Sequence, residues 1–159
     1  MDYLWTPWRY TYLVTAGKAT SCIFCDLQHT DDDQKALIVY RGKYHYIILN
    51  ASPYTSGHSM VVPYEHIDHL HMLSQEAATE MMDLTQRLEK ALCELYESDG
   101  VNVGMNIGKA AGAGVAGHIH MHVLPRWLGD SNFITVIGET RMLPELLETT
   151  YQRLKAKLG

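Results

Sequence analysis

His118-Ile119-His120-Met121-His122-Val123-Leu124, closed by Pro125-Arg126, places three histidines at alternate positions of an otherwise apolar run. An extended chain turns successive side chains to opposite faces. The spacing therefore predicts a strand with three imidazoles in a row on one face and Ile119, Met121 and Val123 in a core on the other. A single histidine so placed reads most simply as the polar face of a half-buried edge strand. Three at period two read as a site, because imidazole titrates near neutrality and serves as nucleophile, acid, base or metal ligand.

Around this run the pattern predicts further strands over 36–40 and 43–50, joined by a tight turn at Arg41-Gly42, and a short third strand over 59–62 that ends at Pro63. Ser74 opens a helix reaching about Ser98, with Met81, Leu84, Leu88, Leu92 and Leu95 at helical spacing and Cys93 among its core residues. A fourth strand follows over 101–107, then a glycine-rich connection over 108–117 leading into the histidine strand. A short strand over 132–137 and a final helix over 144–158 complete the reading. Strands meeting through hairpins, with one long helix packed on them, define an α+β fold around an antiparallel five-stranded sheet with a C-terminal helix.

The chain has 159 residues, 47% of them apolar, which suits one domain with a real core. Its net charge of -5 and scattered basic residues lack the dense cationic footprint that polymeric nucleic acid requires. No apolar run approaches the roughly 18 residues of a membrane span, and no signal-peptide block opens the chain. A soluble cytoplasmic protein is expected. Three cysteines suit a reducing compartment, and two of them form Cys22-Ile23-Phe24-Cys25. That spacing fits a thioredoxin-type pair, half of a zinc site needing two more ligands, or two unpaired thiols. The strand that a redox pair would follow is missing, and histidines are abundant.

The HxHxHxx-Pro-Arg run, preceded by Gly57-His58 and Pro63-Tyr64-Glu65-His66, resembles the histidine-triad (HIT) superfamily of nucleotide hydrolases and transferases over nearly the whole chain. Trp5-Thr6-Pro7-Trp8-Arg9, the CxxC, Ala111-Gly112-Ala113-Gly114, Pro125-Arg126-Trp127 and Asn132-Phe133 look most like its bacterial diadenosine-tetraphosphate phosphorylase-like members. The resemblance implies a single HIT domain over 1–159, with an N-terminal arm over 1–21 and a C-terminal extension over 128–159. It implies His120 as the nucleophile at the α-phosphorus of a nucleotide, His122 as the partner of a non-bridging phosphate oxygen, and His58 as a helper on the neighbouring strand. The chemistry agrees, since a neutral imidazole is a good nucleophile and a two-step displacement lets water or phosphate collect the nucleotide.

By the same resemblance, Cys22, Cys25, His66 and His118 would form one closed structural zinc site per chain, with no organic cofactor. Asn50 would hold the ribose, Phe24 and Leu27 would wall the base or else read equally well as buried core, and Asn106, Gly112 and Gly114 would approach the phosphates. The family's usual Gly-Gln-Ser/Thr element is replaced by Gly114-Val115, so backbone amides of Gly112 to Gly114, with Lys109, Arg9 or Arg126 nearby, would meet the leaving group. His29, His45, His69 and His71 match no motif and read as ordinary surface or sheet residues. The implied activity is cleavage of dinucleoside polyphosphates such as diadenosine tetraphosphate, by phosphorolysis or hydrolysis. Alternatives are a nucleoside phosphoramidate or aminoacyl-adenylate hydrolase, or a zinc-stabilised nucleotide-binding protein without turnover. The expected partners are a small nucleotide and a second copy in a homodimer or higher oligomer, with no membrane and no polymeric nucleic acid.

Overall fold

The computed structural model describes residues 21–131, 135, 137 and 144–159. Two short helices, α1 (Ile23–Gln28) and α2 (Asp33–Ala36), precede strands β1 (Ile38–Arg41), β2 (His45–Leu49) and β3 (Ser59–Pro63). The long helix α3 (Gln75–Tyr96) then leads to β4 (Gly100–Gly104), β5 (Met121–Arg126) and the closing helix α4 (Leu147–Leu158). The strands form one sheet in the order β1-β2-β3-β5-β4, with every pairing antiparallel. This is the α+β architecture that the sequence pattern predicts. Among the described residues, no helix is long and apolar enough to cross a membrane.

Several boundaries differ from expectation: β1 spans Ile38–Arg41 rather than 36–40, because Ala36 closes α2, and β2 spans His45–Leu49 rather than 43–50. The fourth strand ends at Gly104 and leaves 105–107 outside it, and α4 starts at Leu147 rather than 144. The fifth strand pairs only from Met121, so His118 and His120 precede the ladder. They still alternate, because the Ile119 N–H donates to the Ile67 carbonyl at 2.8 Å and holds that stretch in place. The strand expected over 132–137, the Asn132-Phe133 pair and the arm with Trp5 and Arg9 lie largely or wholly outside the described residues.

Period-two alternation sorts the sheet into two apolar layers. Ile47, Leu49, Val61, Ile119 and Val123 join Leu84, Leu88 and Leu92 of α3 and Leu154 and Leu158 of α4 in one cluster. On the opposite face, Tyr46, Ile48, Met60 and Val62 pack with Phe24 and Ala36 in a second cluster. All five residues of β2 and of β3 are therefore buried, on a sheet expected to be covered by one helix face only. Full burial of each such aliphatic side chain contributes about 1.5–3 kcal/mol. Ser74 caps α3 by accepting from the Ala77 N–H, as its position predicts.

The α3 helix also anchors the first hairpin. Glu80 accepts from the Lys43 and Tyr44 N–H groups, each at 2.6 Å, and from Nδ1 of the fully buried His45 at 2.9 Å. A Cβ on Gly42 would stand 2.9 Å from a Glu80 carboxylate oxygen and 3.0 Å from the His45 carbonyl, so a side chain there would press on both. His45 is thus tied to α3 rather than being an ordinary sheet residue. Replacing Glu80 with Ala orphans three donors. We expect urea unfolding to show a loss of about 1–3 kcal/mol, the cost of leaving such groups unpaired.

Candidate functional site

The face of the sheet away from α3 carries the histidines. Met60 stands opposite His122 in the β3–β5 register, and the Ser59–Val123 pair beside it faces the other way. His58, two residues before Met60, extends the same face. His58, His118 and His120 are buried and His122 is half-buried.

Hydrogen bonds assign the ring protons. Nδ1 of His120 lies 2.9 Å from the His118 carbonyl, which can only accept, so Nδ1 carries the proton and Nε2 keeps its lone pair. The Tyr54 N–H, which can only donate, lies 3.1 Å from Nδ1 of His58. Neutral His58 therefore presents Nε2–H to Nδ1 of His122 at 2.8 Å, leaving the outer Nε2 of His122 as a donor. One face thus offers a nucleophilic nitrogen on His120 and a hydrogen-bond donor on His122, with ring centroids 4.8 Å apart.

The electrostatics keep this row neutral. Burial, and then the nearby His122 and His120, push His58 down to about 3. Burial followed by His120 takes His122 down to about 4. Burial also lowers His120 from 6.5, against the opposing bond to the His118 carbonyl.

Beside the row, Cys22, Cys25, His66 and His118 bring four ligand atoms within 4.8 Å of one another, a cluster that can hold a metal ion. Nε2 of His118 donates to the Pro63 carbonyl at 2.9 Å, which turns Nδ1 toward Cys22 Sγ at 3.4 Å and Cys25 Sγ at 3.6 Å. Nδ1 of His66 lies 3.3 Å from Cys25 Sγ. Metal bonds of about 2.3 Å to sulfur and 2.0 Å to nitrogen, at tetrahedral angles, require sulfur–nitrogen separations near 3.5 Å. The donor set and its spacing fit. Burial, then the neighbouring Cys22, pushes the Cys25 thiol up to about 11, and a divalent cation is what would deprotonate the pair.

The expected substrate contacts are placed unevenly. Asn50 stands at the rim, its Nδ2 3.3 Å from Nδ1 of His58 and its Oδ1 accepting from the Ser52 N–H. Phe24 is buried in the second cluster, with Leu27 packed against it, and its ring lies 5.0 Å from that of His120. Phe24 therefore belongs to the core and stands beside the histidine row. Asn106 is half-buried, and Lys109, Gly112 and Gly114 are exposed on the glycine-rich connection. Gly112 has φ 86°, the left-handed backbone that favours glycine. Arg126 lies four residues beyond His122, about 13 Å along an extended chain. Its guanidinium is held by Asp130 and by Asn102 at 2.7 Å, so it does not stand at the histidines. His29, His69 and His71 are exposed, as expected, and Cys93 is half-buried, accepting from Ser98. Tyr54 went unread in the sequence. An aromatic residue four positions before His58 in a Pro-Ser-Gly loop was the available signal.

The model of the HIT domain family matches residues 31–127. The chain belongs to the HIT domain family. It is 39% identical over 162 aligned residues to the AP-4-A phosphorylase of Mycobacterium tuberculosis, covering 97% of this chain and 83% of that one. It is 34% identical to an adenosine 5′-monophosphoramidase of Saccharomyces cerevisiae, over 67% of this chain and 63% of that one. A zinc-bound histidine triad family protein from Mycobacterium smegmatis superposes with a TM-score of 0.70 at 32% identity, covering 86% and 92% of the two chains. These relatives make the chain a HIT-family enzyme of the AP-4-A phosphorylase-like kind.

The neutral histidine pair has a consequence for stability. The folded values of His58 and His122 lie below 6.5, so the unfolded chain binds these protons first as pH falls. Their contribution is complete above about pH 6.5 and is lost progressively as pH falls, to about pH 4 for His122 and about pH 3 for His58. The thermal midpoint should fall on acidification from pH 7 to pH 4.5, and less steeply in His58→Asn. Equal slopes in the two proteins would contradict the assignment.

Proposed function

We propose that this HIT-family enzyme cleaves dinucleoside polyphosphates, diadenosine tetraphosphate among them, at the α-phosphate through a nucleotidyl-His120 intermediate. The observation that carries this is the His120 Nδ1 bond to the His118 carbonyl, which leaves Nε2 unprotonated beside the outward donor of His122. Nε2 of His120 attacks the α-phosphorus and forms a phosphorus–nitrogen bond while the polyphosphate departs with the bridging oxygen. His122 donates to a non-bridging oxygen as charge shifts onto it, and His58 holds His122 in the donating tautomer. Inorganic phosphate or water then displaces His120. The AP-4-A phosphorylase relative supports phosphate as the acceptor. Asn50 at the rim would take the ribose, and Asn106 with the 108–114 backbone would meet the phosphates.

Zinc is the metal that best suits a closed set of two thiolates and two imidazoles. Bound at Cys22, Cys25, His66 and His118, it would supply structural rigidity, and the zinc-bound relative supports this. His118 is both a ligand in this set and the acceptor for His120, so the cluster would steady the nucleophile. We further propose a single HIT domain that works in the cytoplasm on a small nucleotide as a homodimer or higher homo-oligomer, without nucleic-acid or membrane partners. The monophosphoramidase relative favours a second reading, in which the same nucleophile opens a phosphorus–nitrogen bond of an adenosine phosphoramidate.

Incubation with diadenosine tetraphosphate and phosphate should yield two mononucleotides, ADP and ATP, whereas AMP plus ATP would show hydrolysis. No turnover with or without phosphate, alongside rapid cleavage of the phosphoramidate, would favour the second reading. His120→Ala should lower kcat/KM by about a thousand-fold or more, as loss of a nucleophile does elsewhere. Elemental analysis should find one zinc per chain in the wild type and in His120→Ala, and its loss in Cys22→Ser.

A further inference from the structure

We infer that the hydroxyl of Tyr46 is a positioning group for the metal cluster: it fixes the cysteine half of the site against the histidine half, and so raises metal affinity without touching the metal. This rests on the reading of Cys22, Cys25, His66 and His118 as a zinc site. The ring of Tyr46 is fully buried, and its hydroxyl donates to the Phe24 carbonyl at 2.9 Å. Phe24 stands between the two cysteines in the chain, so this bond holds the Cys22-to-Cys25 segment at its middle.

One strand pair carries both halves of the site. Tyr46 stands opposite Val62 in the β2–β3 ladder, and His45 beside it stands opposite Pro63. The Pro63 carbonyl accepts from Nε2 of His118, and His66 follows three residues after Pro63. The ring of Tyr46 also lies 5.4 Å from that of Tyr64, on the way to His66. Cys25 is 41 positions from His66 and Cys22 is 96 positions from His118, so local geometry cannot set the spacing between the halves. The ladder sets it, with Tyr46 on one side and Pro63 on the other.

Apolar packing alone would leave the cysteines loosely aimed. Helix α1 has only six residues, a length that is marginal by itself, and Phe24 anchors it in the second apolar cluster. Burial of that ring is non-directional, and a small rotation of the helix would move both sulfurs while keeping the ring covered. A hydrogen bond is directional, and the Tyr46 hydroxyl supplies one inside the segment that bears the sulfurs. Arg41 makes a matching tie farther on, its guanidinium donating to the carbonyls of Gln28 at 2.9 Å and Thr30 at 3.4 Å. Ligands held in this way lose less freedom when a metal binds, which raises affinity.

The test measures zinc affinity by competition with a chromogenic chelator, together with the absorption spectrum of the cobalt(II)-loaded protein. Tyr46→Phe keeps the ring and removes only the hydroxyl. It should weaken zinc binding about ten-fold, as loss of a group that orients metal ligands does elsewhere, and keep the wild-type cobalt spectrum at saturation. Ile48→Val trims a neighbour in the same apolar cluster, and should lower the thermal midpoint while leaving zinc affinity at the wild-type value. Unchanged affinity in Tyr46→Phe overturns the proposal, as does an equal loss in Ile48→Val, which would assign the effect to general loosening of the cluster. A wild type that binds neither zinc nor cobalt overturns the zinc reading and this proposal with it. Tight zinc binding in the wild type and equally in Tyr46→Phe overturns the proposal alone.

Discussion

Residues 118–123 run between two apolar layers, and the strict alternation of an extended chain assigns Ile119, Met121 and Val123 to one and the histidines to the other. A slip of one residue would bury the imidazoles against α3 and expose the aliphatic side chains, so the hydrophobic layer enforces the histidine register. The β3–β5 ladder transmits that register to His58, because Met60 opposite His122 belongs to the same face. Site geometry is thus a by-product of core packing. The histidines need no separate device to be brought together.

His118 joins structure to chemistry through three contacts. Its Nε2 is held by Pro63, its Nδ1 faces the two cysteine sulfurs, and its carbonyl orients His120. A change at the cluster therefore reaches His120 through one residue and its carbonyl. The Tyr54–His58–His122 series does the same for the second ring, starting from a backbone N–H rather than from a side chain. Both tautomers are set by main-chain groups, which a side-chain substitution elsewhere does not easily disturb.

Much of this was legible because it depends on local spacing. The period-two histidines, the stripe of α3 and the Ser74 cap follow from strand and helix geometry alone, and the structure has them. The pairing of Cys22 and Cys25 with His66 and His118 came through family resemblance, since spacing along the chain left three chemical readings open. Other features depended on contacts between distant segments. Glu80 lies 35 positions from His45, and nothing in either neighbourhood announces their bond. The surroundings of Phe24 and Arg126 depend on distant segments in the same way: the second apolar layer encloses one, and Asp130 with Asn102 hold the other.

The sequence by itself determined which side chains share a face, because alternation and helical period are properties of the backbone. It thereby settled the α+β class and the candidacy of His120 and His122. Tertiary structure alone decided the protonation pattern, the depth of burial that keeps the histidines neutral, and the convergence of Cys22, Cys25, His66 and His118. These depend on desolvation and on hydrogen bonds across the sheet. Such quantities exist only once segments far apart in the chain have packed together.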